Sequence, residues 1–258
     1  MIETKSIFYY GITITKDNNL IPFSEGGPEI IATVKVGSYT HSQFINEISK
    51  ALNAVSLNNY VVSLDRDNRK ITIAGDSNFE LLCNTSLLSS NSPYLLMGFD
   101  VLSDKTGSNN YQSENSSGSE YKPQYFLQSY SPFSDNVEVG SASINETAMG
   151  IVEVISYGRK YFMSCNIRFA NNSQDNCDDS PFEYNPSGYS DLITFMNYLI
   201  DKKPIEFMAN ADDRSEFDSC ILESSSSDSK GTKFSLKELL REGLKNHYET
   251  GIIKFRRI

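Results

Sequence analysis

Apolar positions in this chain alternate in short runs more often than they recur at helical spacing. Ile7-Phe8-Tyr9-Tyr10-Gly11-Ile12-Thr13-Ile14-Thr15 and the stretch from Glu29 to Val36 are rich in β-branched and aromatic residues, which predicts strands. Thr40 has Gln43 three residues on, a capping-box spacing. Phe44, Ile45, Ile48, Ala51, Leu52 and Val55 then recur at three and four, which predicts a helix with one apolar face. Tyr60-Val61-Val62-Ser63-Leu64 and Lys70-Ile71-Thr72-Ile73-Ala74 flank the polar turn Asp65 to Arg69 and predict a β-hairpin. Phe79 to Cys83 predicts a further short strand. Residues 1–102 therefore read as a ββαβββ module, an α+β unit with one helix on a small sheet.

Residues 103–122 carry no apolar periodicity and predict a flexible polar loop. Beyond it, residues 123–258 return to strand-like patterning. Gln124 to Tyr130 is one strand, and Ala148 to Tyr157 with Lys160 to Ala170 predicts a hairpin turning at Gly158-Arg159. After a polar loop over 171–188, Leu192, Ile193, Phe195, Met196, Leu199 and Ile200 mark a helix from Tyr189 to Asp201, which Pro204 ends. Ile205 to Met208 and Phe217 to Glu223 predict strands, and Ser224 to Ser229 a low-complexity loop. Ser235 with Glu238 is placed as the capping box of a short helix over 236–244, and Gly251 to Arg256 closes the chain as a strand. The expected fold class is α+β and β-rich: the ββαβββ module, then a β-sandwich or barrel-like unit flanked by helices.

Composition agrees with that reading. Hydrophobic residues are 39% and charged residues 22% of the 258, with abundant Ser and Asn, and aromatics reach 12% without a tryptophan. Those proportions suit a folded, loop-rich β protein. The formal charge of −10 argues against a large phosphate-binding surface and against an anionic membrane surface. No run reaches the roughly 18–20 apolar residues that span a bilayer, and the first ten residues are not expected to be a secretory signal. Cys83, Cys165, Cys177 and Cys220 form no CxxC pair, and reduced, buried thiols are expected of them.

Catalytic patterns are sparse. The two histidines, His41 and His247, have no HExxH or HxH spacing and are expected to be solvated. Asp65-Arg66-Asp67-Asn68 begins like a calcium loop but continues with Arg69 and Lys70, so a hairpin turn is favoured. Asp175, Asp178, Asp179 and Glu183 form an acidic loop that reads as solvated. Gly26-Gly27-Pro28 and Gly37-Ser38 read as turns, and no phosphate-cradling GxGxxG or GxxxxGK[ST] is present. GxSxG is absent, and Ser225, Ser226 and Ser227 lie in the low-complexity loop. The sequons at Asn84, Asn115, Asn145 and Asn171 fit chance in so Ser- and Asn-rich a chain. Dispersed carboxylates for glycoside hydrolysis remain an alternative that spacing does not address. No catalytic, cofactor-binding or metal residue is assigned, and no cofactor is expected.

Two stretches resemble known structural proteins. Gly37-Ser38-Tyr39-Thr40, Phe44 to Asn53, Val61 to Ile73, Asn78 to Leu82 and Leu96-Met97-Gly98-Phe99 resemble a module common in viral and phage structural proteins. In that pattern a Gly-Ser-Tyr-Thr-type turn starts a helix ending in Ala-Leu-Asn, a hairpin with a basic, polar tip follows, and a Leu-Gly-Phe-like segment closes. Asp191 to Leu199, Lys202 to Met208, Phe217 to Glu223, Leu236 to Leu244 and Tyr248 to Arg257 are similar to tail-associated structural proteins of tailed bacteriophages, of the distal-tail, baseplate or tail-tube kind. The resemblance implies a non-enzymatic virion structural protein. Such a protein would form a ring of its own copies in the tail or baseplate and contact neighbouring tail proteins. It would reside in the virion and be made in the host bacterial cytoplasm. On this reading residues 103–122 would be ordered by neighbouring subunits, and a net-acidic ring would let DNA slide without sticking. The C-terminal strand, through Ile252, Ile253, Phe255, Arg256 and Arg257, is the expected assembly interface, by adding an edge strand or pairing with acidic neighbours. A host-surface or glycan-binding module of the same virion is the alternative, and a glycoside hydrolase the third.

Overall fold

In a computed structural model the chain divides into two compact units, one of Ile7–Tyr121 with Lys203–Phe217 and one drawn mainly from the rest. The structure describes residues 7–121, 126–128, 136–138, 142–146, 152–156, 160–168, 170–171, 189–208, 217–225, 237–238 and 247–258. The fold is α+β and β-rich, with several sheets.

The first unit opens with β1 (Ile7–Tyr10) and β2 (Ile12–Ile14), so the expected first strand is broken at Gly11. The cause is tertiary: β2 pairs with β5 (Gly37–Tyr39), whereas β1 lies between β9 (Glu120–Tyr121) and β16 (Ile205–Met208). The Gly11 N–H donates to the Pro204 carbonyl at 3.1 Å, fixing the point of departure. The main sheet of this unit contains β3 (Leu20–Ser24), β4 (Ile30–Thr33), β6 (Tyr60–Asp65), β7 (Lys70–Leu81) and β8 (Lys105–Gln112). β6 and β7 form the expected hairpin, with Leu64 opposite Ile71 and Asp65 opposite Lys70. The strand expected at Phe79 is the far end of β7 rather than a separate element.

Helix α1 (His41–Asn53) has the capping box read from the sequence: the Thr40 hydroxyl accepts from the Gln43 N–H, and the Gln43 side chain accepts from the Thr40 N–H. Phe44, Ile48, Ala51 and Leu52 are buried on its inner face. They join Ile71, Ile73, Phe79, Leu81, Met97 and Phe99 in one core. Each buried Phe, Ile, Leu or Met side chain among them contributes about 1.5–3 kcal/mol relative to exposure.

The 103–122 expectation is overturned in its described part. Lys105–Gln112 is β8, which pairs with β7. Tyr111 holds it, packing edge-on against Phe79 at 5.0 Å between centroids and donating its hydroxyl to the Phe79 carbonyl at 2.7 Å. Ser113 and Ser117 beyond it are buried, the first donating to the Asn115 carbonyl and the second to the Leu96 carbonyl. Within the chain, the segment is held by pairing with β7 and by these side-chain contacts. The first unit therefore runs past residue 102, and 203–208 return to it through β16.

In the second unit, β10 (Phe126–Gln128) and β11 (Asn136–Glu138) pair with opposite ends of β14 (Lys160–Arg168). β12 (Ala142–Glu146) pairs with β13 (Val152–Ser156), so the hairpin expected between β13 and β14 is replaced by one between β12 and β13. β15 (Ala170–Asn171) and β18 (Lys237–Glu238) flank β19 (His247–Glu249). Helix α2 (Tyr189–Ile200) matches its expected span and buries Leu192, Phe195, Met196 and Leu199. The helix expected over 236–244 is contradicted at Lys237–Glu238, which are strand; its remaining residues lie outside those described. β17 (Asp218–Ser225) and β14 lie on either side of β20 (Ile252–Arg257).

Candidate functional site

A buried group of charged and polar side chains in the first unit is assembled by β16, α1 and the β6–β7 turn. All four residues of β16 are buried, including Glu206, a charged residue in an otherwise apolar strand. One Glu206 carboxylate oxygen accepts from the Ser42 backbone N–H at 2.8 Å, and the other from Arg66 Nη1 at 2.7 Å. Arg66 Nη2 donates in turn to the Ser42 hydroxyl at 2.6 Å, which closes a triangle. The guanidinium lies 3.5 Å from the centre of the Phe217 ring. The Tyr9 hydroxyl donates to the Arg66 carbonyl at 3.2 Å.

Each contact has a local cause. Ser42 is the second residue of α1, where the backbone N–H has no helical partner and the helix dipole favours an anion. Arg66 is the first residue of a turn held by Asp65, whose carboxylate accepts from the Asp67 N–H and from Asn68 Nδ2. The Asp65 oxygens are thus spent within the hairpin turn, in agreement with the reading that favoured a turn over a calcium loop. Burial pushes the Glu206 carboxyl up, but the Arg66 charge and the Ser42 hydrogen bonds outweigh it and hold the group below the ordinary carboxylate value. The group is an anion that caps a helix and pairs with a cation. Chemically it is a clasp joining strand, helix start and hairpin tip.

His41 departs from expectation. It is buried at the first position of α1, with its ring edge-on to Tyr9 at 5.8 Å. Its Nε2 lies 3.2 Å from the Ser117 carbonyl, which assigns the proton to that nitrogen; Nδ1 is buried with no hydrogen-bond partner among the described residues. The cause is position: the residue after an N-cap turns under the helix start, here beneath the strap that ends in β9. Burial pushes the imidazole below its ordinary value, and Arg69 and Arg66 add to this, against the Glu206 charge and the Ser117 hydrogen bond. Below the unfolded pKa, about 6.5 for histidine, the unfolded chain binds a proton that the folded chain refuses. Stability therefore falls as pH drops through that value and levels off below the folded pKa. Urea unfolding of the wild type and of His41→Gln between pH 8 and 5 should show a shallower acid slope in the variant. His247, common to both, cancels in the comparison.

The expected assembly residues fall into two groups. β20 is hydrogen bonded along both edges, by β14 and by β17, so addition of an edge strand there is ruled out. Ile253 and Phe255 are core residues. Ile252 is half exposed, Arg256 lies 3.6 Å from Glu223, and Arg257 forms a 2.6 Å ion pair with Asp218. Alternation along the strand puts Ile252 and Arg256 on one side and Arg257 on the other, and both arginines are paired with carboxylates of the same chain.

No family model matches the chain, and no curated protein matches its sequence. Among the described residues, no group of three or more His, Cys, Asp or Glu is placed to hold a metal ion, and no helix is long and apolar enough to cross a membrane. The acidic loop of Asp175, Asp178, Asp179 and Glu183 lies outside the described residues, as do Cys177, Ser226 and Ser227. Cys83, Cys165 and Cys220 are buried as thiols, and burial pushes Cys83 and Cys165 up to about 12. The Glu206 clasp escaped sequence reading because its partners lie 140 and 164 residues away. Its one local signal was a lone carboxylate inside Ile205-Glu206-Phe207-Met208.

Proposed function

We propose that the chain is a non-enzymatic structural protein of a tailed-phage virion, a ring-forming tail or baseplate component that contacts neighbouring tail proteins. One observation carries the reading. The dispersed segments that resemble the phage structural module, from Phe44 to Phe99, supply Phe44, Ile48, Leu52, Ile71, Ile73, Phe79, Leu81, Met97 and Phe99 to a single core. Segments that pack into one core fit the single module that the resemblance implies. The buried Glu206 group supports the same reading, because Glu206, Arg66 and Ser42 satisfy one another and tie segments together.

Native mass measurement with negative-stain imaging of the purified full chain tests the proposal. A closed ring of about six or twelve copies, a homo-oligomer built by a heterologous interface whose rotation closes, is the expected result. A monomer retained specifically on host glycans would replace the proposal with a host-surface module. Turnover of a glycan abolished by changing one carboxylate would replace it with a hydrolase.

A further inference from the structure

We propose that residues 113–119 form an acid-released strap, which closes over the neutral imidazole of His41 and lifts from it when the ring takes a second proton. The inference is independent of the virion reading, because it concerns a switch inside the first unit.

The strap is built to open between two fixed ends. Tyr111 anchors one end against Phe79, and buried Tyr121 in β9 anchors the other opposite Phe8. Between them residues 112–120 carry no apolar side chain, and Glu114, Asn115, Ser116, Gly118 and Ser119 are exposed. Hydrogen bonds hold what lies between. The Asn115 N–H donates to the Gly98 carbonyl at 2.9 Å, and the Ser117 N–H to the Arg69 carbonyl at 2.7 Å. The Ser116 hydroxyl donates to the Asn68 carbonyl at 2.7 Å, and the Ser117 carbonyl accepts from His41 Nε2 at 3.2 Å. Gly118 lets the strap close: a Cβ there would stand 2.7 Å from that same nitrogen. A segment held by hydrogen bonds, with few buried apolar groups, opens far more readily than a packed core. Helix α1, which carries His41, buries Phe44, Ile48, Ala51 and Leu52, so the strap is the part that yields.

The closed site fits a neutral ring only. Nε2 spends its proton on the Ser117 carbonyl, and Nδ1 is buried with no partner among the described residues. A proton at Nδ1 would therefore be a buried donor without an acceptor. Its charge would also stand at the start of α1, where the helix dipole disfavours a cation, and near Arg66 and Arg69 of the β6–β7 turn. The carboxylates of the surrounding elements are already engaged. Glu206 of β16 accepts from the Ser42 N–H and Arg66, Glu120 of β9 lies 3.7 Å from Arg69, and Glu114 pairs with Lys105 at 2.8 Å. Asp65 is spent within the turn that also carries exposed Asp67. The first turn of α1 supplies no acid, and β1 presents the Tyr9 ring. Opening lets water reach Nδ1 and restores its ordinary proton affinity. Each pH unit below about 6.5 then raises the open population up to about tenfold, until the closed ring itself titrates.

Amide hydrogen exchange of the full chain between pH 8 and 5, corrected for the intrinsic pH dependence of exchange, tests the switch. Protection of the Asn115 and Ser117 amides should be constant above about pH 7 and fall about tenfold by pH 5. Low urea should leave that protection unchanged while lowering that of Ile48 and Leu52 in α1, because a local opening exposes little surface. Two variants assign the cause. His41→Gln, which gains no charge, should keep its strap protection constant across the pH range. Gly118→Ala, which crowds Nε2, should show at pH 8 the low protection that the wild type shows at pH 5. Wild-type strap protection that stays flat from pH 8 to 5 would overturn the proposal whatever the variants do. So would a strap that shares the protection and urea sensitivity of α1, or an acid response that persists in His41→Gln.

Discussion

Replacing Glu206 with alanine is expected to cost about 3–5 kcal/mol, the range for breaking a buried ion pair from one side. The loss has two parts. Arg66, paired with Glu206 at 2.7 Å and only 18% exposed, would keep its charge without that counter-ion. The Ser42 N–H at the start of α1 would lose its acceptor. Glu206→Gln keeps an acceptor of similar shape and should cost less. Arg66→Met combined with Glu206→Leu should recover part of the alanine loss, because an apolar pair leaves no stranded charge. Urea unfolding followed by circular dichroism reads all four proteins, and an unchanged slope with a lower midpoint marks a true stability change. An alanine variant as stable as the wild type would show that the clasp is ornamental. The pH dependence has the same sign as that of His41: the folded Glu206 value is depressed, so its contribution is present above the ordinary value of 4.5 and is lost as pH falls through the folded one.

Gly98→Ala is the second large effect. Gly98 has φ of +85°, and a Cβ there would stand 2.1 Å from the Asn115 carbonyl oxygen and 2.9 Å from its carbon. The obstruction is backbone, and that backbone is anchored: the Asn115 N–H donates to the Gly98 carbonyl at 2.9 Å. The substitution should cost about 2–5 kcal/mol, summing the left-handed penalty and the displacement of the strap. Gly107→Ala is the control, because Gly107 has φ of +82° with nothing within 4 Å of its would-be Cβ. It should lose only the conformational part, about 1–2 kcal/mol. Equal melting temperatures for the two variants would mean that the strap yields freely.

The glycine also explains a feature of the sequence. Met97-Gly98-Phe99 closes the pattern that runs from Gly37 to Phe99, and in the fold Met97 and Phe99 are buried while the strap over 113–117 crosses at the residue between them. A side chain at that position would keep the strap off the core. The motif and the segment expected to be a loose loop are thus two halves of one contact.

What the sequence made legible was local. Thr40 and Gln43 stand three apart and cap α1 reciprocally, and the β6–β7 hairpin declares itself by alternation on both sides of a polar turn. What it concealed was non-local. Lys105–Gln112 has no apolar alternation, because its strand character comes from pairing with β7 and from a single aromatic anchor, Tyr111. Ile7 to Thr15 reads as one strand, yet its halves pair with partners far apart in the chain. His41 looked like a surface residue because nothing near it in sequence reveals the strap that covers it. The C-terminal strand was read correctly as a strand, whereas its place between two neighbours depends on β14 and β17.

The most direct test of the proposed virion tail role is to purify tailed particles from cells that produce the chain and to label them with gold-conjugated antibody for electron microscopy. The account predicts gold at one fixed level of the tail or baseplate, with the protein present in several copies per particle by quantitative mass spectrometry. Particles that lack the protein, with the chain confined to the infected cell, would contradict it.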